Sequence, residues 1–307
     1  MSETTTHQHQ SLILPHLSDA YARLSAIARI CFNFPRNSIA PYRIRTNSLI
    51  LAPSGVGKSF LAKAIALDMG MPLLTLSIDE WILLGCSSRG GPSTWPNICE
   101  FLIGCKDKDG AIIFLDEVDK LQANSPWQVH LLTEVFSLLD FRIPSYMNNS
   151  DGDRIPDWKI SEAQTILANR TLIVGAGAFQ HIWDARGRST MGYIPQGNTV
   201  ANPDLKELSQ TIPLELAARF GANHIVINPL IENDYRLMLD FAVANIPATL
   251  KSKFLQLGRE RIPAACRLQR GARFVEELIL ETILSERSEL VNFIPKSSQH
   301  DDLEMQF

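Results

Sequence analysis

The chain has 307 residues, 45% of them apolar and 20% charged, with a formal net charge of −4. That length has room for a large domain and a smaller one, the composition is that of an ordinary globular protein, and the charge supplies no global attraction to nucleic acid or an anionic membrane. No apolar run reaches membrane-spanning length, residues 1–11 lack the basic-then-apolar order of a signal peptide, and the five cysteines form no CxxC pair. The expectation is a reduced, cytoplasmic protein with no membrane partner and no structural zinc.

Residues 1–47 read as an N-terminal segment, with one helix around Ser18–Cys31 and a Pro-containing stretch to Thr46. Ser48–Leu51 is a short apolar run suited to a buried strand, and Phe60–Met69 carries apolar residues at helical spacing, at Phe60, Leu61, Ala64, Ile65 and Leu67. Between them lies Ala52-Pro53-Ser54-Gly55-Val56-Gly57-Lys58-Ser59, a P-loop in the strand–loop–helix context that such a match requires. Gly55 and Gly57 let successive backbone N–H groups curl around phosphate oxygens at the positive end of the following helix. Lys58 supplies charge to the β- and γ-phosphates and the Ser59 hydroxyl is a ligand for Mg²⁺. The nucleotide-binding segment is thus Pro53, Ser54, Gly55, Val56, Gly57, Lys58, Ser59 and Phe60, and Ala52 stands where a glycine is usual.

Strand and helix signals then alternate: a strand over Pro72–Ile78, a helix over Trp95–Ile103, a strand over Ala111–Leu115 and a helix near Trp127–Leu139. The third of these ends in Ile112-Ile113-Phe114-Leu115-Asp116-Glu117, an apolar strand delivering two acids. Downstream of a P-loop, Asp116 is expected to hold Mg²⁺ and Glu117 to orient and deprotonate the attacking water, which makes the chain an ATPase. The alternative is that Asp116 and Glu117 merely cap a strand, with Asp119 and Lys120 as solvated charges.

Phe141–Ser161 is rich in Pro, Asn, Ser and Asp and reads as an exposed loop; Arg170–Val174 is another strand, leading into Gly175-Ala176-Gly177-Ala178-Phe179. Ile225–Ile227 is the last expected strand. Helical patterns follow at Tyr235–Ala244, Leu250–Leu257 and Phe274–Glu286, and the polar, acidic tail is expected to be disordered. The expected fold class is α/β, a P-loop core of parallel sheet flanked by helices with a small all-helical lid. Its boundaries are 1–47 for the N-terminal segment, 48–229 for the core, 230–293 for the lid and 294–307 for the tail.

An α/β ATPase core followed by a small helical domain resembles the AAA+ superfamily. Four segments are similar to its Clp/HslU branch, in that branch's order. Ile113 to Lys120 resembles the second acidic motif, and Thr171 to Phe179 the sensor-1 strand. Ile212 to Phe220 resembles the arginine-finger segment, and Gly271-Ala272-Arg273 the sensor-2 motif. The resemblance implies that Arg219 faces the ATP of a neighbouring subunit, with Arg188 a lesser candidate, and that Arg273 reaches the γ-phosphate from the lid of its own subunit. It also implies self-association into a hexameric ring or a filament, with chaperone-like action on a protein client.

The chain departs from the branch at the loop between the second strand and the next helix. Gly85-Cys86-Ser87-Ser88-Arg89-Gly90-Gly91-Pro92-Ser93-Thr94 has no aromatic residue, and its only charge is Arg89. Trp95 is expected to pack at the helix start rather than act as the missing paddle. The sensor-1 strand offers Gly175 and Ala176 in place of a polar side chain, and the adaptor domain that binds zinc in some relatives has no counterpart. A second reading is a nucleic-acid-associated ATPase using Arg89 and the basic residues Arg259, Arg261, Arg267 and Arg270. A third uses ATP only as a slow conformational switch.

Overall fold

The computed structural model describes residues 13–34, 44–85, 94–122, 126–145, 147–148, 153–188, 203, 205–221 and 223–287. Residues 86–93 of the loop that departs from the branch lie outside them, as does the tail at 294–307.

Among the described residues, strands β1 (Ser48–Leu51), β2 (Leu73–Ser77), β3 (Ala111–Asp116), β4 (Thr171–Gly177) and β5 (His224–Val226) form one parallel sheet in the order β2-β3-β4-β1-β5. The interior strands β1, β3 and β4 have helices over both faces. That is why they read as near-continuous apolar runs, and all of β1 and β4 is buried. Because every pairing is parallel, the carboxyl ends of β1, β3 and β4 lie along one edge, where open α/β sheets bind their ligands. The fold is an α/β P-loop NTPase core.

Helix α1 (Ser18–Asn33) buries Ala20, Tyr21, Leu24, Ala28 and Cys31, a stripe at three- and four-residue spacing, and packs against α2 (Lys58–Met69), β4 and β5. Gly70 ends α2 in the left-handed conformation, at φ 65°, with its N–H on the carbonyls of Ala66 and Leu67. Helix α3 (Ile78–Gly85) follows β2 directly and has no counterpart in the sequence reading. Next come α4 (Thr94–Gly104) and α5 (Pro126–Leu139). Trp95 is 2% exposed and meets Trp81 edge-on, with ring centroids 6.2 Å apart, so it packs at the helix start as expected.

Helix α6 (Asp157–Arg170) begins inside the segment expected to be a loop. Pro156 precedes the helix, and the buried stripe Ile160, Ala163, Ile166 and Leu167 holds it on the core. The loop proper is shorter, and an antiparallel bridge between Asn148 and Arg154 pins it. Helices α7 (Gln180–Arg188), α8 (Leu205–Leu208) and α9 (Leu214–Phe220) lead to β5.

The chain divides after Leu230 into two compact units. The second contains α10 (Glu232–Val243), α11 (Ala248–Arg267) and α12 (Arg273–Arg287). Its core gathers Tyr235, Met238, Leu239, Phe254, Phe274 and Leu278. The Tyr235 hydroxyl accepts the Gly271 N–H at 3.0 Å and its ring meets Phe274 at 5.6 Å, which fixes the turn into α12. A Cβ at position 258 would lie 2.5 Å from the Leu239 methyls, so glycine there lets Leu239 of α10 pack directly on α11. Helix α11 continues through Pro263 and is therefore far longer than the expected Leu250–Leu257.

Candidate nucleotide site

The loop after β1 is built for backbone N–H groups to point inward. Gly55 and Gly57 have φ of 81° and 104°, and Gly57 caps α2 from a conformation that side chains rarely adopt. A Cβ at Gly57 would also come 3.2 Å from Leu17, because the short 3₁₀ turn Pro15–Leu17 lies against the loop. The Val56 carbonyl accepts from His16 Nε2 at 2.9 Å, a second contact from the N-terminal segment. Lys58 Nζ donates to the carbonyls of Ala52 and Pro53, at 3.1 and 3.0 Å, so its ammonium lies along the loop. Val56 is buried, whereas Ser54 and Phe60 are exposed.

Strand β4 separates β1 from β3, yet the loop and the acidic strand meet across its end. The Ser59 hydroxyl donates to Asp116 Oδ2 at 3.0 Å, and the Glu117 N–H donates to Asp116 Oδ1 at 3.0 Å. Ser59 and Asp116 are the hydroxyl and carboxylate that a Mg²⁺ ion would take, and their direct contact together with the loop's positive-φ glycines fits a Mg·nucleotide. Glu117 turns the chain sharply away from the strand at φ 62°, a conformation costing a non-glycine residue on the order of 1 kcal/mol. Its carboxylate accepts from Ser77 Oγ at 3.2 Å and pairs with Lys120 Nζ at 3.0 Å, and the same ammonium pairs with Asp79. These bonds to Asp79 first, and to Glu117 second, raise the Lys120 pKa above its usual value.

Lys120 is therefore no isolated solvated charge, and neither is Asp119, whose Oδ2 accepts the Phe179 N–H at 3.1 Å. Ser77 carries no motif that marks it in the sequence, and only the register of β2 against β3 sets it opposite Asp116. The Gly-Ala-Gly segment of β4 has a steric explanation. A Cβ at Gly175 would lie 2.6 Å from the Phe220 ring, and one at Gly177 would lie 2.7 Å from Asp119.

Arg219 is on α9, and its partners are not in the phosphate loop. Its Nε donates to Asp140 Oδ2 at 3.2 Å, its Nη1 donates to the Glu215 carbonyl at 3.1 Å, and its guanidinium carbon lies 4.0 Å from the Phe136 ring centroid. Arg188 lies at the end of α7, its side chain outside the described ones. In the second unit Arg273 is exposed at the first position of α12. Of the four arginines that the sequence offers to nucleic acid, Arg261 pairs with Glu281 and Arg270 with Glu277.

The sheet order, the phosphate loop and the acids at one strand end define a P-loop nucleotide-binding core. Residues 48–139 match the family model described as ATPase family associated with various cellular activities (AAA). That match, which spans β1 to α5, supports an ATPase of the AAA+ class, proteins that generally bind ATP and use Mg²⁺. No curated protein matches the chain.

Proposed function

We propose that this chain is an ATP-hydrolysing protein of the Clp/HslU-like branch that self-associates and uses turnover to remodel or switch a protein partner. The observation that carries the ATPase reading is the contact of Ser59, which follows the phosphate loop, with Asp116, whose neighbour in the chain is Glu117. The backbone N–H groups of Ser54 to Ser59 and the Lys58 ammonium would hold the β- and γ-phosphates. Ser59 and Asp116 would hold Mg²⁺, which when bound neutralises charge on the phosphate oxygens. Glu117, anchored on one side by Ser77 and on the other by Lys120, would orient a water and take its proton.

Arg219 would complete the site of a neighbouring copy, and Arg273 would report the γ-phosphate to the helical unit of its own chain. In support, Arg219 makes its contacts on α5, on Asp140 just after it and on α9, and none of these is in its own phosphate loop. Self-association into a ring or filament follows from that division of the site. The polar segment at 85–94, rich in small residues, is the one we assign to partner contact, in the cytoplasm.

Glu117→Gln keeps the shape of the side chain and removes the base. Its expected effect is a loss of ATP turnover of about 100-fold or more, with binding of a fluorescent ATP analogue retained. The trapped assembly, sized by light scattering, would then give the number of copies. Undiminished turnover in that variant sinks the assignment of Glu117.

A further inference from the structure

We infer that Asp140 and Phe136 are positioning residues for the Arg219 guanidinium, engaging Nε and the ring face so that Nη2 is left to be presented to the phosphate of a neighbouring copy. This rests on the reading of Arg219 as the residue supplied in trans.

A guanidinium carries five N–H donors in a planar fork. In this chain Nε is taken by the Asp140 carboxylate and Nη1 donates to the Glu215 carbonyl, while Nη2 has no partner among the described residues. The Phe136 ring lies over the plane at 4.0 Å, a cation–π contact that fixes the tilt of the fork without using a donor. Only 26% of the Arg219 side chain is exposed, so its long stem is ordered by packing and little rotamer freedom remains to be lost on meeting a phosphate.

The clamp is tied to the strand that carries the phosphate loop. Asn47, buried immediately before β1, donates from Nδ2 to the Leu139 carbonyl at 2.8 Å and to the Arg219 carbonyl at 3.3 Å. One amide thus joins the ends of α5 and α9 to the start of β1. An unanchored surface arginine would need no such frame, and an arginine serving only as an ion pair would not need the ring.

The experiment compares Arg219→Ala, Asp140→Ala, Asp140→Asn and Phe136→Leu in the full chain, alone and mixed with Glu117→Gln chains. Asp140→Ala and Phe136→Leu are expected to lower kcat about tenfold with KM changed less than about twofold, since a small misplacement of a charged group weakens the transition state selectively. Asp140→Asn, which keeps an acceptor for Nε, should recover part of that loss.

Mixing is the reading that a merely structural role would not move. A Glu117→Gln chain cannot hydrolyse but presents an intact Arg219, so mixtures with Arg219→Ala or Asp140→Ala chains should turn over ATP faster than the two chains measured separately. Arg219→Ala inactive with Asp140→Ala and Phe136→Leu at full rate overturns the positioning role and leaves the trans arginine standing. Arg219→Ala at full rate removes the trans arginine and the clamp with it. Slow Asp140→Ala chains that mixing does not rescue have a defect in their own site, which also overturns the proposal.

Discussion

β3 and β4 lie side by side, run in the same direction and end at the same edge, yet they contribute in opposite ways. β3 ends in side chains: Asp116 meets Ser59, and Glu117 meets Ser77 and Lys120. β4 ends in the near absence of side chains, with Gly175 and Gly177 leaving room for Phe220 and for Asp119. One strand presents the candidate site's acids and its neighbour leaves space for the groups packed around them. Two segments that both resemble family motifs therefore call for different tests, kinetic for one and thermodynamic for the other.

Gly175→Val strikes the steric strand and carries the largest expected effect. The added side chain meets the Phe220 ring and Val118, so thermal or denaturant unfolding should show a loss of about 1–3 kcal/mol. A variant that keeps its stability but loses turnover would mean that β4 takes part in the chemistry, and the contrast would fail. Asp119→Ala comes next. It removes a carboxylate acceptor from the Phe179 N–H and should cost roughly 1.5–2 kcal/mol, while Asp119→Asn, which retains an acceptor, should cost less. Equal losses would show that charge rather than the bond holds the end of β4.

Lys120→Met is the mildest and tests the chemical strand. The ion pair is about four-tenths exposed, so little stability should change. The Glu117 carboxylate would keep Ser77 but lose its other anchor, and kcat should fall by roughly two- to fivefold at constant KM, because a general base must stay within hydrogen-bond reach of its water. A rise in kcat would show instead that Lys120 restrains Glu117.

Much of the site was legible in the chain because phosphate binding depends on contiguous backbone. Gly55, Gly57, Lys58 and Ser59 form a loop whose geometry a short stretch encodes, and the apolar run before Asp116 announces a buried strand. Local composition misled where packing overrode it. The Pro- and Asp-rich stretch beginning at Phe141 hid the start of α6, whose buried stripe Ile160, Ala163, Ile166 and Leu167 only has meaning against the core. The pairing of Arg261 on α11 and of Arg270 after it with Glu281 and Glu277 of α12 is likewise a tertiary contact that local composition does not show.

The amino-acid sequence alone determined the P-loop, the Asp116–Glu117 pair and the α/β class, because each depends on residues adjacent along the chain and on periodic burial. Tertiary structure decided what surrounds them: Ser77 and Lys120 on Glu117, Asp119 on the end of β4, and Asp140 and Phe136 around Arg219. Those contacts join residues from different elements, some of them far apart in the chain. Their specificity comes from three-dimensional distance and orientation, which no local pattern of residues records.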